Sequence, residues 1–436
     1  MTKFGTVGLA FALLSVTIAF DAGAQQPAPA ARLPEVVISA TRVEEDSFDL
    51  PVSIDRVDRA VIREDKPQVN LSESLNRVPG VVVQNRQNYA QDLQISLRGF
   101  GSRSTFGVRG LRLIADGIPA TMPDGQGQAA TFNLDSANRI EVMRGPFSSL
   151  YGNAAGGVIQ IFTADGPIEP TLSGGLYAGS YDTWKLNTQF GGTSERLNYI
   201  ADVSRFQTDG YRDHSWARRD QVNAKFKYDA GERGVFTLVA NSLDQPETQD
   251  PLGLTAAQVA QDPRQAGTGA LAFNTRKSIA QTQLGLTYGL ALTAADSIEA
   301  RAYSGDRQVT QYLAIPLGTQ TATATHSGGV VDLDRGFGGV GLRWTHATGF
   351  AGGPLTASVG FDYDRMDEGR KGYINNFGVA GALRRNEDNT VTNSGLYAQA
   401  EWHFAPRWNL LAGLRYSRVR FESQDYYIVP ATNNRD

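Results

Sequence analysis

LQISLRGFG (Leu93–Gly101), LRLIADGIP (Leu111–Pro119) and RIEVMRGPFSSLYGNAAGGVIQIFT (Arg139–Thr163) are the pieces on which the reading of this chain turns. Each is a short β-prone run closed by Gly or Pro, which favours strands separated by tight turns. Arginines recur beside the glycines, and Gly156-Gly157 stands before the last run. Gly99, Gly145, Gly152, Gly156 and Gly157 are backbone choices, for positive φ or for close approach of another segment. No nucleophile–His–acid arrangement or metal constellation accompanies them. GFGSRS and GNAAGG lack the Gly-Lys-Ser/Thr that completes a phosphate loop. The chain is therefore not expected to be an enzyme, and neither a cofactor nor a metal is expected.

The 436 residues include no cysteine, which excludes disulfides and thiolate metal sites. The four histidines, His214, His326, His346 and His403, show no ligand spacing and read as loop or wall residues. A formal net charge of −4 argues against a nucleic-acid partner. Met1–Ala24 carries one basic residue (Lys3), an apolar run from Val7 to Phe20, and Ala22-Gly23-Ala24 at its end. That pattern is a secretory signal peptide. Its apolar run is shorter than the ~20 residues a spanning helix needs. No other stretch is apolar for long enough, so a membrane-spanning form of this chain must be a barrel.

Residues 25–47 read as a linker, rich in Ala and Pro over Gln25–Arg32, followed by a β-branched segment. Within it, Glu35, Val36, Val37 and Ile38 suit strand addition to a partner protein, in which main-chain bonds supply affinity. Residues 48–168 hold the quoted motifs. Asn70-Leu71-Ser72-Glu73 predicts a helix start capped by Asn70, with an apolar face of Leu71, Leu75 and Val78 and a stop at Pro79-Gly80.

In residues 169–436, segments of about ten residues alternate apolar and polar, as lipid-facing and lumen-facing positions of a membrane barrel must. Leu355, Ala357, Val359, Phe361 and Tyr363 share one face, and Ser358, Gly360 and Asp362 the other. Leu396, Ala398, Ala400, Trp402 and Phe404 repeat the pattern, as do Trp408, Leu410, Ala412, Leu414 and Tyr416. Gly192–Arg196, Ala230–Gly234, Leu292–Ser297 and Ala405–Arg407 read as short turns. Gln207–Arg219, Asp244–Lys277, Arg307–Arg335 and Asp367–Thr392 read as long polar loops. About eleven strands are expected.

RGF, a DG pair, IEV-x-RGP and LYG-x-x-A-GG-V-I, in this order, resemble the plug domain of TonB-dependent outer-membrane receptors. The resemblance implies an all-β membrane protein with an α+β plug inside an antiparallel transmembrane β-barrel. Because the family has twenty-two strands, the chain is expected to carry an incomplete half of one. It also implies TonB as partner, engaged through Glu35–Ile38 as a TonB box, outer-membrane lipid as surroundings, and a monomeric state. Only eight residues separate Ala24 from Leu33, so an inserted signalling domain is not expected. Arg98, Gly99, Glu141, Arg144, Gly145, Gly156 and Gly157 fall in the fold signature. The two arginines are expected to make structural plug-to-barrel ion pairs.

The external tips of such a plug form the floor of a ligand site. Arg86, Arg103 and Arg109 suit carboxylate capture. Tyr89 and Phe106 offer faces for stacking, and Asn88, Gln91, Thr121, Asp124 and Gln126 supply further polar contacts. The repeated basic character of YRDH, NTRK, RKGY and ALRRNE adds to the expectation of a small anionic ligand. Val69–Gln128 and these loop pieces resemble the branch that takes up pyrroloquinoline quinone, long labelled as ferric-dicitrate receptors. A planar polycarboxylate fits arginines and aromatics together. Ferric citrate or another iron–siderophore chelate is the alternative, and a passive porin or adhesin a second one.

Overall fold

The computed structural model describes residues 36–38, 44–46, 53–86, 88–104, 107–145 and 148–428. Met1–Ala24, the segment expected to be a signal peptide, lies outside the described residues, as do Glu35 and Phe106. Strands β1 (Val36–Ile38) and β2 (Glu44–Asp46) pair antiparallel, Val36 opposite Asp46. Then come β3 (Ser53–Asp58), α1 (Arg59–Arg63), α2 (Ser72–Leu75), β4 (Val81–Gln84), β5 (Gln94–Leu97), β6 (Leu111–Ala115), β7 (Ile118–Pro119), β8 (Ala137–Arg144), α3 (Ser148–Tyr151) and β9 (Gly157–Thr163). They form the plug: a mixed sheet in the order β3-β8-β9-β6-β7, with β4 paired to β5 beside it.

Strands β8 and β9 are apolar at nearly every position because both faces of this sheet are covered. Ile140, Val142, Ile159 and Ile161 pack with Leu75, Ile95, Leu97, Leu111 and Leu113 in one buried cluster. Gly157 has φ +136° and a Cβ there would stand 2.2 Å from Met143 O. Only glycine lets β9 approach β8 at that point.

The short helix begins one residue later than the sequence suggests. Its N-terminal cap position is Leu71, and the Glu73 carboxylate reaches back to the segment before the helix, accepting from the amides of Gln68 (2.7 Å), Val69 (2.9 Å) and Asn70 (2.7 Å). Burial pushes the Glu73 carboxyl up, against the pull of those three donors. Asn70 is free for another task and accepts from Arg219 of the wall at 3.3 Å.

The wall is one antiparallel sheet of eleven strands in chain order. They are β10 (Thr171–Gly179), β11 (Thr183–Ser194), β12 (Leu197–Thr208), β13 (Ala217–Asp229), β14 (Val235–Gln249), β15 (Arg276–Ala291), β16 (Asp296–Tyr312), β17 (Val330–Phe350), β18 (Gly353–Asn376), β19 (Val379–Ala405) and β20 (Trp408–Asp425). Among the described residues, β10 and β20 each pair on one side only. The expected alternation is present: Val359, Phe361 and Leu396 are exposed, whereas Ser358, Asp362, Tyr397, Gln399 and Glu401 are buried. Near the short turns, Phe236 stacks on Tyr288 (4.5 Å), and Phe350 and Phe404 flank Trp402. These are the aromatic girdle of a membrane wall.

The long connections hold α4 (Ala256–Gln261) and α5 (Thr268–Phe273) between β14 and β15, and α6 (Leu317–Thr321) between β16 and β17. Asp367–Thr392, expected to be a loop, is instead a hairpin extension of β18 and β19 closed at Phe377-Gly378, both with positive φ. Strand ladders that leave the bilayer need no apolar face, so hydropathy does not reveal them.

The plug is fastened to the wall by buried polar contacts. Lys185 of β11 bridges to Asp135 at 2.7 Å and donates to Gln68 O at 2.9 Å. Asn133 bonds Asp202 at 3.0 Å, and Arg219 donates to Val69 O at 2.7 Å. Lys185→Met leaves the Asp135 carboxylate buried without its cation, a change that typically costs ~3–5 kcal/mol. Thermal unfolding of the detergent-solubilised chain should show that loss, with most of it recovered in Lys185→Met/Asp135→Leu. An unchanged single variant would remove this pair from the plug's fastening.

Candidate functional site

On the side of the long connections, plug and wall enclose a cavity of about 470 Å³. Ligand pockets typically measure ~300–1,000 Å³. The plug contributes Asp92, Arg109, Asp124, Gln126 and Gln128, and strands β15 to β20 close the rest. One part is apolar: Val309, Leu333, Met366, Val391 and Phe421. The other is cationic: Lys277, Arg307, Arg335 and Arg370.

Three of the cations are answered differently. Arg335 pairs with Glu368 at 2.5 Å and donates to Gln126 Oε1 at 3.2 Å. Asn389 holds the second Glu368 oxygen at 3.0 Å. Lys277 bonds Asp92 at 3.0 Å. Burial pushes the Asp92 carboxyl up, but the charges of Lys277 and Arg307 outweigh it and leave the group below its ordinary value. Arg307 is 1% exposed, and its one hydrogen bond is from Nη1 to Gln281 Oε1 at 2.6 Å. Its Nε and Nη2 have no partner among the described residues. A buried donor without an acceptor costs ~1–3 kcal/mol, so this guanidinium is held in the cavity wall at a cost to the fold.

The residues singled out from sequence fall into separate places. Arg109, Asp124 and Gln126 line the cavity, with Arg109 Nη2 3.8 Å from Asp124 and Nη1 donating to its backbone oxygen at 3.2 Å. Asn88 and Gln91 turn away to Asp250 on the far wall. Tyr89 packs on Phe206 at 4.8 Å, beneath Arg219. Thr121 is buried, and its hydroxyl accepts from Leu113 N at 2.8 Å, a structural role. Arg86 and Arg103 are exposed, away from the cavity.

The fold-signature arginines depart from the expected plug-to-barrel pairing. Arg144 bridges to Asp55 and donates to Pro79 O at 2.8 Å, both within the plug. Arg98 is exposed with φ +49°, and its amide bonds Gly80 O. Glu141, fully buried, pairs with Arg139 at 2.6 Å on its own strand. Neighbouring positions on β3 and β8 pair across this sheet, so these charges are met locally.

Arg307, Arg335 and Asp92 were not singled out from sequence, whereas Lys277 and Arg370 stood in the basic pieces NTRK and RKGY. Arg307 and Arg335 stood at the ends of a segment read as loop, although both occupy positions of lumen parity in their strands. Among the described residues, no group of three or more His, Asp or Glu is placed to hold a metal ion. No helix there is long and apolar enough to cross a membrane.

Comparison with known proteins places the fold. The TonB-dependent receptor plug domain profile matches residues 46–158, and the TonB-dependent receptor-like β-barrel profile matches residues 162–436. The unliganded ferric citrate transporter FecA aligns with a TM-score of 0.75 and 20% identity, over 87% of this chain and 58% of that one. The siderophore receptor PiuA from Acinetobacter baumannii aligns at 0.67 and 14% identity, over 88% and 60%. The ferric yersiniabactin uptake receptor FyuA from Yersinia pestis aligns at 0.64 and 18% identity, over 86% and 58%. The chain thus spans less than two thirds of each of these structures.

Arg307→Met and Arg335→Met separate a binding cation from a structural one. Arg335→Met strands Glu368 and should cost ~3 kcal/mol. Arg307→Met removes two unanswered donors and should leave stability within about 1 kcal/mol. Thermal unfolding of both variants without ligand checks this, and equal losses would make Arg307 a structural residue.

Proposed function

Because the chain belongs to the TonB-dependent receptor family of the bacterial outer membrane, we propose that it serves energised uptake of a small anionic ligand, and that this ligand is pyrroloquinoline quinone. The observation that carries the anionic ligand is Arg307, a buried guanidinium that lines the cavity and whose Nε and Nη2 have no hydrogen-bond partner among the described residues. Arginine presents paired donors that match a carboxylate. Arg335 and Arg370 stand beside it to receive further carboxylates, and the apolar wall opposite accepts a flat ring system. The sequence resemblance over Val69–Gln128 selects the quinone among ligands of this chemistry.

Coupling to TonB is assigned to Val36, Val37 and Ile38 with Glu35 before them. In this chain that segment forms β1 of a two-stranded pair with β2. A partner strand adds to its open edge or replaces β2; either way the main-chain donors of β1 are needed. A porin or adhesin needs neither a lumen filled by a plug nor such a segment.

Ferric citrate is the second reading, favoured by the fold likeness to FecA. It shares the negative charge but lacks a flat apolar body, so the Val309–Leu333–Phe421 wall distinguishes the two. Isothermal titration of the purified receptor with each ligand tests the assignment. Saturable binding of the quinone is expected, weakened ~10–100-fold by Arg307→Met, since a hydrogen bond to a charged group contributes about 1.5–3 kcal/mol. Binding of ferric citrate alone would overturn the quinone reading. Val37→Pro removes a strand donor and should abolish energised uptake with binding unchanged; undiminished uptake would reassign the coupling segment.

A further inference from the structure

The acids on the lining of the cavity are each held by a neighbouring cation. Asp92 meets Lys277 at 3.0 Å, Asp124 meets Arg109 at 3.8 Å and Glu368 meets Arg335 at 2.5 Å. Glu387 and Glu422 are bridged within their own strands, by Arg385 at 2.7 Å and Arg420 at 2.5 Å. Among the described residues, the buried cations of the lining are Lys277, Arg307 and Arg335. Of these, Arg307 is the one without an acid.

The lack is not for want of an acid nearby. Asp92 lies within the field of both Lys277 and Arg307, yet its bonds go to Lys277 Nζ and the Gly107 amide. Arg307 stands opposite Gln281 of β15, and Lys277 stands four residues nearer the long connections, opposite Gln311. At a rise of ~3.3 Å per residue, the two levels differ by about 13 Å. The plug acid is thus held by the cation of the outer level, and the cation of the inner level is left to Gln281. Arg219 also lies in the field of Asp92, but its donors already reach Val69 O, Asn70 and Gln245.

Two penalties would meet if Lys277 were lost. A buried carboxylate without its cation is costly, and so are the unmet donors of Arg307. Both are relieved together when Asp92 turns to Arg307. Asp92 sits in the connection before β5, outside any strand or helix, where no ladder fixes its direction. An aspartate on Arg307 presents the same carboxylate that a ligand would bring, and it takes the same N–H groups.

We infer that Lys277 is a positioning residue: by holding Asp92 it keeps the Arg307 guanidinium open for a ligand carboxylate, and Asp92 is an internal competitor for that guanidinium. This rests on the uptake reading above. Isothermal titration of the purified receptor with pyrroloquinoline quinone reads the ligand side. Lys277→Met should weaken binding by about tenfold or more, in the range of Arg307→Met. Lys277→Met/Asp92→Asn has no acid left to occupy Arg307 and should bind within about threefold of the unaltered receptor. A lysine that touches the ligand itself, or a pair that only braces the plug, would leave the double variant as weak as the single one. That result, or undiminished binding by Lys277→Met, overturns the inference. Where Lys277→Met does not fold, Lys277→Gln keeps a neutral donor for Asp92 and takes its place in both arms.

Thermal unfolding without ligand reads the turn of the acid directly. Arg307→Met should lower the midpoint by several degrees more in the Lys277→Met background than in the unaltered receptor, because there Arg307 has taken Asp92. Equal shifts in the two backgrounds would overturn the inference whatever the ligand. Unequal shifts in a receptor that binds no quinone would uphold the arrangement and count against the uptake reading instead.

Discussion

A polar side chain that a membrane strand turns inward has to be answered from the lumen, and that requirement organises the molecule. Lipid can satisfy neither backbone nor charge, so the wall is one continuous antiparallel ladder, and every second residue points at the plug. The plug's own sheet is closed around an apolar core and spends its periphery on those answers. Asp135 meets Lys185, backbone oxygens of Val69 and Phe132 meet Arg219 and Gln221, and Thr163 O meets Lys225 at 2.6 Å. Where the answers stop, the cavity begins. Among the described residues, Arg307 is one inward residue whose Nε and Nη2 the plug leaves unmet.

Much of this fold is legible in the residues. Strict alternation in 355–363 and 396–404 gives the lipid face, and the apolar runs of β8 and β9 announce a covered sheet. The eleven strands follow from the same periodicity. What is not legible has a common cause: polar sequence has no period that hydropathy can register. The hairpin of β18 and β19 beyond the bilayer reads as a loop because both its faces are wet. Glu73, not Asn70, provides the amide acceptors at the short helix, because a neighbouring wall arginine claims Asn70.

The candidate site was half legible for a related reason. Arg109, Asp124 and Gln126 sit on plug turns, where glycine and proline mark exposed tips. Arg307 and Arg335 sit in strands, where a charge shows its meaning only through its parity with the lipid-facing residues beside it. Asn88, Tyr89 and Gln91 have the right chemistry and the right segment, but Asp250 and Phe206 hold them against the opposite wall. Side-chain type alone does not choose between facing a ligand and facing a neighbour.

Where the cavity borders the apolar cluster of Ile118 and Met122 with Tyr303, Phe337, Met366 and Val391, one short turn of the plug takes part in both. Met122 N bonds Gln126 O at 2.9 Å, and Gly125 N bonds Met122 O at 2.9 Å. Gln126 is also the plug residue that Arg335 reaches from the wall. An anion that takes Arg335 as a partner competes with Gln126 for the same guanidinium.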